Sequence, residues 1–175
     1  MNHLADLTVF PLTAGRLEDF MGFDCGSEEW QRDLREFLVD DALSQMAGRY
    51  NKTYVFYAGP SALGFVTLSA AQVNRADIEL PERAPYPVVP AVLVGRLGID
   101  QSWQGRGYGQ QIMALVRQWA RELVAGCRVV ALQVDVRNEG AIAFYEREGF
   151  EKAPIEIRRN MQWMFCDLGP DDSFV

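Results

Sequence analysis

Histidine is almost absent from this chain of 175 residues: His3, near the N-terminus, is the only one. The interior of the sequence therefore lacks the most frequent general base and the commonest zinc ligand. Cysteine is scarce too. Cys25, Cys127 and Cys166 are odd in number, widely spaced and form no C-x-x-C pair. That spacing argues against a zinc site or a cysteine–histidine nucleophile pair, so free thiols and no metal are expected. No apolar run reaches the roughly 20 residues of a membrane-spanning helix. The stretch from Met1 to Asp6 has neither a basic region nor an apolar signal core, so a cytoplasmic protein without membrane contact is expected. A basic excess is missing as well. Seventeen Lys and Arg stand against 24 Asp and Glu, for a net charge of −7. This balance disfavours nucleic acid as the main partner and suits an enzyme, including one with a cationic substrate.

What is present is enough for a full core. Hydrophobic residues make up 49% of the chain, with 4 Trp, 6 Tyr and 10 Phe. The length suits one domain, taken as 1–175. Leu7 to Leu12 reads as a strand and Gly15 to Met21 as a helical turn. Ser27 is the expected N-cap of a helix that places Trp30, Leu34, Phe37, Leu38 and Leu43 on one side and runs to about Met46. Thr53 to Tyr57 and Leu63 to Ala70 form a hairpin around a turn at Ala58 to Ser61. Ala71 to Pro90 carries four prolines, which exclude a helix or an inner strand and leave a connection or a substrate-facing loop. Val92 to Ile99 is a strand. A helix from about Gly107 follows, with Tyr108, Ile112, Leu115, Val116, Trp119 and Leu123 at helical spacing. Val129 to Val136, a helix from Asn138 to about Glu148, and Asn160 to Leu168 complete the order, with a polar tail from Gly169. A hairpin early and a strand–helix–strand crossover late require a mixed α/β sheet covered by helices.

The most informative stretch joins the strand ending at Ile99 to the next helix: Gln104-Gly105-Arg106-Gly107-Tyr108-Gly109. A strand, a glycine-rich turn and a helix start form an anion site, because backbone N–H groups and the helix dipole point the same way. A Walker loop needs G-x-x-x-x-G-K-S/T, and no lysine lies in this turn or the helix after it. The alternating glycines also miss the G-x-G-x-x-G spacing of a dinucleotide fold. The turn reads instead as Q-x-x-G-x-G. A second stretch, Asn138 to Phe150, reads as N-x-x-A-x-x-x-Y-x-x-x-G-F, with Tyr145 two helical turns beyond Asn138.

Together, in this order and on these elements, the two stretches resemble the GNAT superfamily of acyl-CoA-dependent N-acetyltransferases. The resemblance covers Phe23 to Phe150. It implies a GNAT-like fold, acetyl-CoA as acyl donor and a primary amine as acceptor, in a monomer or a homodimer. It further implies that Gln104, Gly105, Arg106, Gly107, Tyr108 and Gly109 hold the pyrophosphate. Leu97, Gly98 and Ile99 lie on a splayed strand and pair with the pantetheine arm and the thioester carbonyl. Asn138 touches the arm or fixes its helix. Tyr145 serves the thioester sulfur as general acid, and a backbone N–H at Leu97 steadies the oxyanion.

The proton on the amine has no obvious taker. Asp135 and Glu82 are conceivable bases, Asp100 and Glu79 weaker ones, with water or an already neutral amine as the alternative. Arg96 stands where many family members place a carboxylate base. Phe23-Asp24-Cys25-Gly26, Gly64 to Ser69, Gly95 to Asp100 and Phe144-Tyr145 also resemble the GNAT toxins of toxin–antitoxin pairs, which acetylate aminoacyl-tRNA. Against a tRNA partner stands the acidic balance; for it, a basic patch of Arg96, Arg106, Arg117, Arg121 and Arg128. A non-catalytic acyl-CoA-binding module is the reading from another class.

Overall fold

The computed structural model describes residues 7–81, 85–124 and 126–170. Seven strands are hydrogen-bonded in the order β1-β2-β3-β4-β5-β7-β6, a mixed sheet, as the sequence predicts. The chain divides into two compact units, Met1–Ser69 with Gly95–Ile112, and Ala70–Val94 with Met113–Val175. Among the described residues no helix is long and apolar enough to cross a membrane.

In the first unit, β1 (Leu7–Pro11) pairs antiparallel with β2 (Lys52–Ala58), and β2 pairs antiparallel with β3 (Ser61–Asn74). A short helix α1 (Ala14–Leu17), capped by the Thr13 side chain, continues into a 3₁₀ turn ending at Phe20. The helix expected after Gly26 forms, but its cap is Glu28 rather than Ser27. Glu28 has extended φ/ψ, and its N–H donates to Gln31 Oε1 at 3.0 Å. A glutamine three residues into a helix reaches back in this way, and that reciprocal bond outweighs the intrinsic preference for serine. Helix α2 (Glu29–Glu36) runs through a π turn (Phe37–Asp41) into α3 (Ala42–Ala47). The π turn, closed by Ala42 N–H to Phe37 O, is not visible in the hydrophobic spacing. It adds one residue to the turn and lets Phe37, Leu38 and Ala42 all be buried. They join Phe20, Phe23 and Phe65 in one apolar cluster. Each such large side chain contributes about 1.5–3 kcal/mol by burial.

In the second unit, β5 (Val129–Asp135) pairs parallel with β4 (Val88–Ile99) from Ala91↔Val129 to Val94↔Leu132, and antiparallel with β7 (Met161–Asp167). The two-residue β6 (Glu151–Lys152) also pairs with β7. The parallel β4–β5 pair flanks α4 (Tyr108–Leu123) in sequence, as the crossover requires. The expectation that no strand enters the proline-rich segment is wrong at both ends. Strand β3 continues to Asn74, and β4 starts at Val88, with Pro90 inside it. The ladder to β5 begins one residue after Pro90, so its missing N–H costs no ladder bond, while its carbonyl accepts from Arg128 N at 3.0 Å. Helix α5 (Glu139–Arg147) follows β5.

Gly64 on β3 marks the tightest packing of the first unit. A Cβ built there would lie 2.5 Å from Gly98 O and 3.3 Å from Ile99 Cα, both backbone atoms that cannot swing aside. Gly64→Ala is expected to destabilise the protein by about 1–3 kcal/mol, as overpacking does. A urea midpoint unchanged from the parent, at equal slope, would show that the strands yield there.

Candidate active site

Strand β4 ends at Ile99, the chain turns through residues 100–107, and α4 begins at Tyr108. Gly105 has φ +72° and Gly107 φ +87°, in the left-handed region that strains any residue with a Cβ. Backbone shape therefore demands these glycines before any ligand does. A Cβ at Gly105 would meet no protein atom within 4 Å, so the space beside it is open. The first turn of α4 holds no acidic residue. Its unpaired N–H groups and the dipole favour an anion. The ring of Tyr108 is buried edge-on against Trp103, 5.7 Å between centroids, and Arg106 lies 5.1 Å over the same indole. Packing leaves the backbone N–H as the group Tyr108 offers to the turn.

Gln104 does something the motif alone does not disclose. Its Nε2 donates to Ile99 O at 2.8 Å and to Cys25 O at 2.9 Å. Both amide hydrogens are committed, so its side chain braces the turn and only its backbone N–H remains as a donor for a ligand. Leu97 and Ile99 are half-buried and Gly98 is buried. A Cβ at Gly98 would lie 2.7 Å from Phe65 and 3.2 Å from Cys25 Sγ. Burial, helped by Asp100 and Asp24, pushes the Cys25 thiol up to about 12, which keeps it a neutral packing group. Arg96 lies over the Phe37 ring at 4.3 Å. Burial lowers its pKa, and the charges of Asp33 and Asp41 oppose that effect. This cation–π stack occupies the Arg96 guanidinium with packing on the Phe37 ring.

The other two candidates belong to the second unit. Asn138 is the N-cap of α5: its side chain accepts from Ala141 N at 3.1 Å, as its place in the motif predicts. Tyr145 is buried on α5, with its ring against Phe144 and Phe150 at 5.1 and 5.6 Å. Burial raises the pKa of its phenol, so the group is protonated throughout the neutral range.

Two of the suggested bases are committed to hydrogen bonds. Asp135 accepts from Arg137 N and Nε at 2.9 Å and from Nη2 at 2.6 Å, and these bonds hold its carboxyl below the usual range. Burial would raise the Asp100 pKa, but bonds from Ser102 and from Asp24 N lower it further than burial raises it. Glu79 is exposed at the edge of a cleft of about 460 Å³ that Ile78, Leu80 and Phe165 also line. Glu82 and His3 lie outside the described residues. The suggested basic patch is largely spent on structure. Arg117 pairs with Glu148 at 3.0 Å, Arg128 pairs with Asp167 through two hydrogen bonds, and Arg121 donates to Leu168 O at 3.3 Å. Among the described residues no group of three His, Cys, Asp or Glu is placed to hold a metal.

The model of the acetyltransferase (GNAT) family matches residues 16–150. A tRNA-acetylating toxin of Mycobacterium tuberculosis is 26% identical over 147 residues, 79% of this chain and 82% of that one. A structure of AtaT complexed with acetyl-methionyl-tRNAfMet superposes with a TM-score of 0.71 and 28% identity, covering 97% of both chains. A structure of AtaTR bound with acetyl-CoA gives 0.71 and 29%, covering 93% of this chain and 94% of that one.

The turn is tested best at Gly109, the second residue of α4, because Gly107 is strained by any side chain. Gly109→Val keeps a helical backbone and adds bulk beside the N–H groups. Acetyl-CoA affinity by calorimetry is expected to fall roughly tenfold or more, with thermal unfolding unchanged. Equal affinity in the folded variant would move the anion site elsewhere.

Proposed function

The chain belongs to the acetyltransferase (GNAT) family, and from that premise we propose how its residues carry the reaction. It is an acetyl-CoA-dependent N-acetyltransferase. The observation that carries the assignment of roles is the turn at 104–109, with two left-handed glycines opening onto a helix start free of acid. Backbone N–H groups from Gln104 to Gly109 hold the pyrophosphate, with Arg106 adding charge. Leu97, Gly98 and Ile99 take the pantetheine arm. In support, the β4–β5 register stops at Val94↔Leu132 while β4 continues to Ile99. Asn138 fixes the start of α5 and so the place of Tyr145. We read residues 1–175 as one acetyltransferase domain, working in the cytoplasm as a monomer or homodimer without a metal.

The chemistry follows from these roles. The amine nitrogen attacks the thioester carbonyl, and a tetrahedral oxyanion forms next to the Leu97 N–H. The C–S bond breaks, and the sulfur takes the phenolic proton of Tyr145, which is later replaced from water. The protonated amide nitrogen releases its own proton to solvent. With Asp100 and Asp135 held charged and hydrogen-bonded, neither is poised as base, and in the proposed mechanism the acceptor enters as the neutral amine.

The acceptor has two readings. The first is a primary amine of a small molecule or a peptide, in keeping with the net charge of −7. The second is the amino group of an aminoacyl-tRNA. It rests on likeness over nearly the whole chain to AtaT, and on the M. tuberculosis toxin. Salt separates them. With tRNA as acceptor, apparent affinity falls steeply as salt rises, because several phosphate contacts release counterions together. With a small amine, activity between low and moderate salt changes little. Acetylated aminoacyl-tRNA as product, with a steep slope, selects the second reading; its absence from charged tRNA supplied with acetyl-CoA selects the first.

Tyr145→Phe tests the acid. Removing only the hydroxyl leaves the ring contacts in place, so acetyl-CoA affinity is expected to change little. Both kcat and kcat/KM should fall by roughly ten- to a thousandfold. The loss should shrink with a donor whose thiol is more acidic, since that thiolate leaves unaided. Turnover equal to the parent with chemistry rate-limiting would return Tyr145 to a packing role.

A further inference from the structure

Two carboxylates of the first unit that the reaction does not use, Asp24 and Asp100, are wired to each other across 76 residues of sequence. Asp100 Oδ2 accepts from Asp24 N at 3.0 Å. Asp100 Oδ1 accepts from Ser102 N at 3.0 Å and from Ser102 Oγ at 2.6 Å. Asp24 answers from the other side. Its Oδ1 takes Gly26 N at 2.8 Å, its Oδ2 takes Gln101 Nε2 at 2.8 Å, and its carbonyl takes Gln101 N at 2.8 Å. Gln104 closes the frame through Cys25 O and Ile99 O, and Asp100 N donates to Leu63 O at 2.9 Å. Every side-chain bond in this set ends on the stretch Asp24–Gly26 or on the stretch Ile99–Ser102. The second of these leads directly into the glycine turn.

We propose that Asp24 and Asp100 are positioning residues for acetyl-CoA binding. They lock the Phe23–Gly26 segment to the start of the glycine turn, and so fix both the turn's N–H groups and the end of β4 at Gly98. This rests on the reading of that turn as the acetyl-CoA site. The physical need is plain. Gly105 and Gly107 make the turn flexible, and a flexible anion site must be ordered at the expense of binding. The clamp does that ordering before the ligand arrives. It also seats Phe23 and Cys25 beneath Gly98, where a Cβ would meet both within 3.3 Å. The two acids differ in what they tolerate. Asp100 faces two backbone N–H donors, one on each oxygen, so an amide NH₂ in its place must oppose a donor. Asp24 faces one backbone donor and the carboxamide of Gln101, which can flip to offer its oxygen to an asparagine.

Calorimetry with acetyl-CoA and steady-state kinetics on the full chain test the clamp. Asp100→Asn should weaken acetyl-CoA and raise its KM by roughly tenfold, the loss of one well-placed bond with a donor left unsatisfied. At saturating acetyl-CoA, kcat and the acceptor KM should stay near the parent values. Asp24→Ala should weaken acetyl-CoA to a similar degree, and Asp24→Asn should restore it. Ser102→Ala, which removes one hydroxyl and leaves the backbone bond, serves if Asp100→Asn fails to fold, with a smaller loss in the same direction. Unchanged acetyl-CoA affinity in folded Asp100→Asn or Ser102→Ala, or a loss confined to kcat, overturns the proposal. Gly109→Val separates this from the underlying reading. If it too binds acetyl-CoA normally, the turn is not the site; if it alone loses binding, the site stands and the clamp falls.

Discussion

A binding site made of backbone N–H groups can be held in place only from behind. Side chains that reached into it would occupy the ligand's space, and at Gly105 and Gly107 the backbone geometry excludes them in any case. The rigidity of this turn must therefore come from residues that face away from the ligand. Gln104 spends both amide hydrogens on carbonyls of Ile99 and Cys25. Tyr108 and Trp103 pack edge to face at the base of the helix. The close approach of Gly64 to Gly98 sets the end of β4 against the first unit's core. In the proposed site these contacts, none of them made to the reacting atoms, fix where the turn stands.

The same economy governs charge. An acidic protein that binds a polyanionic cofactor needs local positive potential, and arginine is the usual source. Here Arg117, Arg121 and Arg128 are tied to Glu148, Leu168 and Asp167, and Arg96 to the ring of Phe37. Arg106 lies over Trp103 beside the turn. In the proposed site the weight of phosphate recognition falls on backbone dipoles, which carry no net charge and are little affected by the protein's overall balance of −7.

Motifs bound to local geometry were readable from the sequence. Asn138 caps its helix, the glycine turn sits between β4 and α4, and the hairpin and crossover fix antiparallel and parallel pairing. What escaped was either a local bond that competes with an intrinsic preference or a partner distant in sequence. Gln31 reaching back to Glu28 displaced Ser27 as the cap. The π turn at Phe37–Asp41 breaks no hydrophobic period, because an extra residue there still lands apolar groups in the core. Asp100 reads as a possible base in a string of letters, since only the fold brings Asp24 N to it. The Asp24-Cys25-Gly26 stretch resembles that of the GNAT toxins, but its hydrogen bonds to Asp100 and Gln101 have no local signature.

The charged, hydrogen-bonded state of Asp100 and Asp135 bears on which amines can react. An α-amino group titrates near 7.7–8.0 and a lysine ammonium near 10.4, so at neutral pH the neutral fraction differs by roughly three hundredfold. An enzyme with a poised base removes much of that difference; one without it inherits the difference from its substrate. Asp100 and Asp135 are held in the charged, hydrogen-bonded state, their pKa values lowered. Their bonds are intact above the ordinary carboxylate range and fail only as pH falls through the depressed values, so neither group gains or loses a proton where amines are acetylated. Across neutral pH the rate should then track deprotonation of the acceptor itself. An α-amino group activated by a neighbouring ester or amide carbonyl meets that condition, and a lysine side chain does not. Under the proposed mechanism, in which the acceptor enters neutral, this favours aminoacyl esters and peptide N-termini among the amines the acetyl group can reach.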